Sequence, residues 1–265
     1  MELGQKQWLV GKLETQVLYG TSVRVLSHSG EWSRIAVPSQ PTPRDRRGYP
    51  GWIPTWQLTT KAPRSAAKFA VVTAATAWVR GKPSSTASAD HIMELSYDTR
   101  LPVVSANSST VEVSLLDGRH GYLRRNVTSL RASGTVWPAS PGQVIVEARK
   151  FLGLAYLWGG TSGYGYDCSG FSYSVFHVLG LTIPRDAAPQ ALKGIPVARG
   201  DLRPGDLVFF RDSSGAVVHV AIFFGSPGGV PSVIHSPGTG LPISITPLSA
   251  WSSSSYAGAR RYIGS

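Results

Sequence analysis

Hydrophobic and polar positions divide the chain into two parts of different rhythm. Up to about residue 130 the apolar residues come in short alternating bursts, such as Val23 with Val25 and Ser33-Arg34-Ile35-Ala36-Val37. His28-Ser29-Gly30 and Asp117-Gly118 interrupt them. Period-two segments closed by turn residues predict the strands of small β-barrels. Two barrels are expected, because Leu18-Tyr19-Gly20-Thr21-Ser22-Val23-Arg24-Val25 can be laid over Ser96-Tyr97-Asp98-Thr99-Arg100-Leu101-Pro102-Val103. Each copy runs on to a Gly-aromatic pair: Gly51-Trp52-Ile53 followed by Leu58, and Gly121-Tyr122-Leu123 followed by Leu130. The first copy has the longer loop, residues 38–50, rich in Pro and Arg.

Residues 131–139 carry no periodicity. Ser140-Pro141-Gly142-Gln143 is then a capping box with Pro in the first turn, and it predicts a helix that buries Val144, Ala148, Phe151 and Leu152 and stops at Gly153. A second helix is predicted over 167–180, with Asp167 as N-cap, Gly180 as stop, and Phe171, Val175 and Leu179 four residues apart. Strand-like runs follow at 206–210, 217–224, 232–235 and 243–245. Helices first and strands later predict an α+β domain with an antiparallel sheet. The expected organisation is multi-domain: barrels over 1–62 and 63–135, and the α+β domain over 136–265.

Composition narrows the function. At 265 residues and 42% hydrophobic content the chain can build real cores. A formal charge of +11 makes its long-range field attractive to polyanions, nucleic acid and anionic cell wall alike. The basic residues are scattered (Arg44, Arg46, Arg47, Arg124, Arg125, Arg260, Arg261), without a basic helix or a zinc-ligand set, so nucleic acid is not expected as a partner and no metal or cofactor is expected. No run reaches the roughly 18 apolar residues of a membrane span. The opening MELGQKQWLV lacks a basic segment followed by an apolar one, so it does not read as a signal peptide. A monomer is the expected state.

The single cysteine carries the chemistry. Cys168 lies in YGYDCSGFS, where a helix capped by Asp167 would set its sulfur beside unpaired N–H groups and the positive end of the helix dipole, favouring thiolate. A nucleophilic thiolate needs a base that later protonates a leaving group, and His219, inside Val217-Val218-His219-Val220-Ala221-Ile222-Phe223, is the best placed of six histidines. It shares a strand face with Ala221 and Phe223, and His235 at the end of the next apolar run can fix its tautomer. His28, His91, His120 and His177 read as ordinary solvated histidines. Taken singly, a cysteine at a helix start and a histidine in an apolar strand read as core residues. Their joint order favours a catalytic site.

In its second part the chain resembles the NlpC/P60 family of cysteine peptidases, whose papain-like domain cuts bacterial cell-wall peptides. The resemblance runs through Tyr156-Leu157-Trp158-Gly159-Gly160, Asp167-Cys168-Ser169-Gly170-Phe171, Pro184-Arg185-Asp186 with Gln190, Arg203-Pro204-Gly205-Asp206-Leu207, His219-Val220-Ala221-Ile222, Ile234-His235-Ser236 and Arg260-Arg261-Tyr262. The first part resembles two bacterial SH3 modules. The whole looks like the γ-D-glutamyl-L-diamino acid endopeptidases of the YkfC type.

That resemblance implies Cys168 as nucleophile, His219 as base and acid, and His235 as the orienting member. It implies Tyr156 and Trp158 in the substrate pocket. Glu14, Tyr49, Asp167 and Ser169 would recognise the free amine and carboxylate of L-Ala-γ-D-Glu-diamino acid peptides, with Arg185 and Asp186 bordering the site. Some relatives carry Ser where this chain has Ala187, which removes one hydroxyl contact to the D-Glu carboxylate. Other readings are a hydrolase of intact peptidoglycan stems tethered by its SH3 modules, an acyltransferase, and a non-catalytic wall-binding protein. The charge and the modules point to the cell envelope, with a leader removed; a murein-recycling role points to the cytoplasm.

Overall fold

The structure, a computed structural model, describes residues 1–83, 86–134 and 139–264. A short helix α1 (Leu3–Trp8) precedes an antiparallel meander of β1 (Arg24–Ser29), β2 (Trp32–Val37) and β3 (Tyr49–Pro54). Ile35, Val37 and Tyr49 form its small core, with Val17, Val23, Ile53 and Leu58 packed around them. The second barrel contains β4 (Lys68–Val72), β5 (Thr76–Arg80), β6 (His91–Ser96), β7 (Arg100–Ala106), β8 (Thr110–Ser114), β9 (His120–Arg124) and β10 (Thr128–Ala132). These pair in the order β10-β4-β7-β8-β9-β5-β6 around a core that includes Ala70, Val79, Leu101, Val111 and Leu123.

The internal repeat has a structural counterpart in its tightest turn. Thr21 N–H donates to Leu18 C=O and Thr99 N–H to Ser96 C=O, both at 3.1 Å. The residue just before each donor is left-handed, Gly20 at φ 82° and Asp98 at φ 65°. Asp98 is the one non-glycine residue of positive φ among the described residues, and its carboxylate offsets the strain by meeting Arg100 at 3.2 Å and His177 of the third domain. After the Gly-aromatic pairs, the amides of Leu58 and Thr128 each close a 3₁₀ turn, so Thr128 rather than Leu130 is the counterpart of Leu58.

In the third domain α2 (Pro141–Arg149) begins with the predicted capping box: Gln143 N–H donates to Ser140 Oγ, and Ser140 N–H to Gln143 Oε1. The helix stops before Leu152, which the turn at 150–153 leaves 42% exposed instead of in the core. A two-strand hairpin, β11 (Thr161–Ser162) and β12 (Gly165–Tyr166), leads into α3 (Cys168–Val178). Next come α4 (Ala187–Ala191), β13 (Ile195–Val197), β14 (Leu207–Arg211), β15 (Val217–Gly225), β16 (Ser232–His235), β17 (Ser244–Pro247) and β18 (Tyr256–Arg261). The antiparallel sheet runs β13-β18-β14-β15-β16-β17, with α3 packed across β15. Its strands β13 and β18 carry too little apolar pattern to be legible in the sequence.

Almost all of α3 is buried, not the single face its periodicity suggested, because Gln190, the β11–β12 hairpin, the first-barrel loop and the second barrel cover its other sides. Arg100 donates to His177 C=O at 2.9 Å and Arg131 to Val178 C=O at 3.0 Å. His177 is therefore a contact between domains and not a solvated histidine. The β11–β12 hairpin wedges between both barrels: Thr161 N–H donates to Gln16 Oε1 at 2.9 Å and Gly163 N–H to Ser96 Oγ at 2.8 Å. A Cβ on Gly163 would lie 1.8 Å from Ala75 O, so only glycine permits this approach. The boundary expected at 135/136 lies outside the described residues.

Candidate active site

Cys168 is the first residue of α3, and Asp167 caps that helix by accepting from Gly170 N–H at 2.6 Å. The backbone N–H groups of Ser169 and Val220 lie near the sulfur and favour its ionised form. The Val220 amide is the peptide that joins it to His219, so the thiol sits against the backbone of the candidate base. Alternation along β15 sends Val220 and Ile222 into the core under α3, and Ala221 and Phe223 into the core on the other sheet face. His219 joins Phe210 on that second face, with ring centroids 5.9 Å apart.

His219 Nε2 and His235 Nδ1 lie 2.8 Å apart, and His235 Nε2 lies 3.2 Å from Thr246 Oγ1. Trp251 covers the pair, edge-on to His235 at 4.9 Å and stacked toward His219 at 6.2 Å. Burial, reinforced by the neighbouring ring, pulls His219 down to about 3, and burial pulls His235 down to about 4. Burial and then the Asp167 charge push the Cys168 thiol up to about 12, against the two nearby amides and Arg185. The resting site thus holds a neutral thiol and neutral imidazoles. The thiolate expected from the helix start is outweighed by desolvation.

Arg185 is 1% exposed and organises the floor. Its guanidinium meets Asp167 at 2.7 and 3.1 Å, Ser169 Oγ at 3.1 Å and Thr15 Oγ1 at 3.1 Å. Gln190 ties the Pro184 carbonyl (2.8 Å) to the Ser169 carbonyl (3.1 Å), which holds the Arg185 segment against α3. Tyr156 is buried near Cys168 and Asp167, and burial followed by their charges raises its hydroxyl. Trp158 is partly exposed in the loop before β11, and Ala187 is buried at the start of α4.

The long first-barrel loop reaches this floor. Pro41 C=O accepts from Arg185 N–H at 3.0 Å, and Ser39 C=O from Tyr173 Oη at 2.9 Å. Gly48 allows the return into β3, since a Cβ there would meet Val37 O at 2.2 Å and its φ is 123°. Tyr49 Oη consequently donates to Asp186 Oδ1 at 3.2 Å; burial and the Asp186 charge push the phenol up to about 12. Glu14 is joined to the same network through Arg44, which meets Glu14 Oε2 at 2.5 Å and Tyr49 Oη at 3.1 Å. Glu14, Arg44 and Tyr49 line a cleft of about 730 Å³ between residues 12–17 and β2–β3, together with Trp32, Arg34 and Trp52.

Glu14, Tyr49, Asp186, Arg185, Asp167 and Ser169 therefore join, through Arg44, into one network of hydrogen bonds and ion pairs that ends next to Cys168 in sequence, while His219 and His235 form a separate row with Thr246. Sequence reasoning missed Arg44, Thr246 and Trp251. A lone tryptophan in Leu248-Ser249-Ala250-Trp251-Ser252 and the Arg-rich composition of the loop were the available signals; nothing marked Thr246. Among the described residues no group of three or more His, Cys, Asp or Glu is placed to hold a metal ion, and no helix is long and apolar enough to cross a membrane.

Comparison with known proteins places the chain in a family. Residues 153–261 match the NlpC/P60 family and residues 72–129 the YKFC SH3b2 domain. The chain is 40% identical over 272 residues to a γ-D-glutamyl-L-lysine dipeptidyl-peptidase of Bacillus cereus, covering 99% of this chain and 80% of the relative. It is 38% identical to the protein of the same name in Bacillus subtilis, covering 89% and 76%. The crystal structure of an NlpC/P60 family protein from Bacillus cereus superposes with a TM-score of 0.89 at 37% identity, over all of this chain and 87% of that one. With a cysteine at a helix start, two histidines on adjacent strands and a 40% identical relative that matches nearly the whole of this chain, this chain belongs to the NlpC/P60 family of cysteine peptidases.

Proposed function

We propose that this protein is a cysteine endopeptidase that hydrolyses the γ-D-glutamyl-L-diamino acid bond of cell-wall peptides with a free N-terminal L-alanine. The observations that carry the reading are Cys168 at the start of α3, close to the peptide that joins His219 to Val220, and the pairing of His219 with His235 at 2.8 Å. Catalysis starts from the neutral pair. The thiol proton passes to His219 Nδ1, the ring nitrogen that His235 leaves free, and the sulfur attacks the γ-carbonyl carbon. The Cys168 amide at the helix start and the Tyr156 hydroxyl stabilise the oxyanion. As the tetrahedral adduct collapses, the C–N bond breaks and the His219 imidazolium protonates the leaving α-amine of the diamino acid. Water then attacks the thioester and gives its proton to His219; the C–S bond breaks and the sulfur recovers that proton.

Substrate recognition falls to the joint between domains. Glu14 and Tyr49 receive the alanine ammonium, while Asp167, Ser169 and Asp186 complete the wall of the pocket around the dipeptide. Arg185 acts beneath them, holding Asp167 and Ser169 in place. The names of the Bacillus relatives specify lysine as the residue after D-glutamate, so L-Ala-γ-D-Glu-L-Lys is the first peptide to test. A second reading, cleavage of intact stems whose alanine is acylated, draws support from Arg44, which already occupies Glu14.

The test is incubation with L-Ala-γ-D-Glu-L-Lys and mass detection of L-Ala-γ-D-Glu and free lysine. Cys168→Ala should abolish release without altering the circular dichroism spectrum. Residual turnover above about a hundredth of the wild type would move the nucleophile elsewhere.

A further inference from the structure

We propose that Thr246 is a positioning residue that sets the tautomers of both active-site histidines. β15, β16 and β17 are adjacent in the sheet and present His219, His235 and Thr246 as a continuous row, with contacts of 2.8 and 3.2 Å. Thr246 faces Val233, two residues before His235, and so reaches the imidazole diagonally. The direction of the protons in this row follows from the chemistry. Resting on the proposed role of His219 as base, its Nδ1 must be unprotonated, so its Nε2 carries the hydrogen and donates to His235 Nδ1. His235 then accepts at Nδ1 and must carry its own hydrogen on Nε2, where the partner is Thr246 Oγ1. In that tautomer the threonine oxygen accepts the hydrogen; the hydroxyl could also donate to a bare Nε2, but a buried N–H left without an acceptor costs more than a lone pair left without a donor, so the contact weighs toward the tautomer of His235 compatible with a basic His219.

The opposite direction disables the site. If His235 carried its hydrogen on Nδ1, it would donate to His219 Nε2, and the neutral His219 ring would keep its hydrogen on Nδ1, where it cannot take the thiol proton. Both rings are neutral in the resting protein, so tautomer choice and not charge decides whether a base is available. Burial removes water as a substitute partner for His235, which is 4% exposed.

The experiment uses the full chain with ¹⁵N-labelled histidine. Long-range ¹H–¹⁵N spectra of the wild type should show both His219 and His235 as Nε2–H tautomers. Thr246→Val keeps the shape and removes the acceptor: the His235 signals should shift toward the Nδ1–H form. The rate of Cys168 alkylation by iodoacetamide should fall roughly three- to tenfold, the bias one neutral hydrogen bond can impose on a tautomer pair. Thr246→Ser should restore both readouts. An Nδ1–H tautomer for His235 in the wild type overturns the proposal whether or not Thr246→Val folds, as does unchanged alkylation with unchanged tautomers in a folded Thr246→Val. Alkylation needs no peptide, so a protein that passes these tests but fails to cleave L-Ala-γ-D-Glu-L-Lys would refute the substrate reading and leave the role of Thr246 standing.

Discussion

Glu14 makes the sharpest demand on the proposed function, because it turns an SH3-like barrel into part of the substrate site. In the resting protein its carboxylate holds Arg44 at 2.5 Å, and the two side chains are 48% and 46% exposed. An exposed ion pair of this kind contributes about 0.2–1 kcal/mol. A substrate ammonium that replaces the guanidinium in a partly closed pocket gains a charge-assisted hydrogen bond of about 1.5–3 kcal/mol. The balance is about 0.5–3 kcal/mol, so Glu14→Gln should lower kcat/KM for L-Ala-γ-D-Glu-L-Lys by roughly twofold to a hundredfold. Arg44→Gln removes the competitor and should raise kcat/KM by up to about fivefold, the value of the exposed pair it breaks.

The assay is release of free lysine from the tripeptide and from its N-acetylated form, measured on wild type, both single variants and the double variant. Acetylation removes the charge that Glu14 meets, so the wild type should lose most of the same advantage, and Glu14→Gln should lose little more on that substrate. No effect of Glu14→Gln on the free peptide, or a preference of the wild type for the acetylated one, refutes the amine site and favours cleavage of intact stems. A fall in kcat/KM with Arg44→Gln would show that Arg44 holds a substrate carboxylate instead of competing with an amine.

Two further predictions follow from the buried charges and rings. Arg185→Met removes the cation paired with Asp167 in the floor and should cost about 3–5 kcal/mol in urea unfolding; a loss below about 1 kcal/mol would mean that Asp167 is readily rehydrated. Stability should also fall on acidification between about pH 6.5 and 4: the unfolded chain takes up protons at 6.5, while the folded site holds His219 near 3 and His235 near 4. The unfolded state then binds more protons, so stability rises with pH across this window, by at most about 1.4 kcal/mol per pH unit for each histidine. His219→Ala combined with His235→Asn should flatten the slope of urea midpoint against pH, and an unchanged slope would assign the dependence to other groups.

Local patterns determined much of this protein. The capping box at Ser140, the Asp167 cap ahead of Cys168 and the alternation around His219 depend on neighbours within a few residues, and each appears in the structure as an element or a cap. The repeated turn at Gly20 and Asp98 was legible for the same reason, since backbone conformation there is set by four consecutive residues. Tertiary packing decided the rest. Burial on both sides of α3, the exposure of Leu152 and the domain contact of His177 depend on what covers each surface, and periodicity records only that a face is apolar. The neutral resting thiol came from desolvation, which a helix-start argument does not contain. Thr246 reaches His235 across two strands, and Arg44 reaches Glu14 across 30 residues of sequence, so neither pairing leaves a mark at short range. Sequence determines which side chains can do the chemistry; the fold decides which polar groups meet once water is excluded, because only there must each one find a partner.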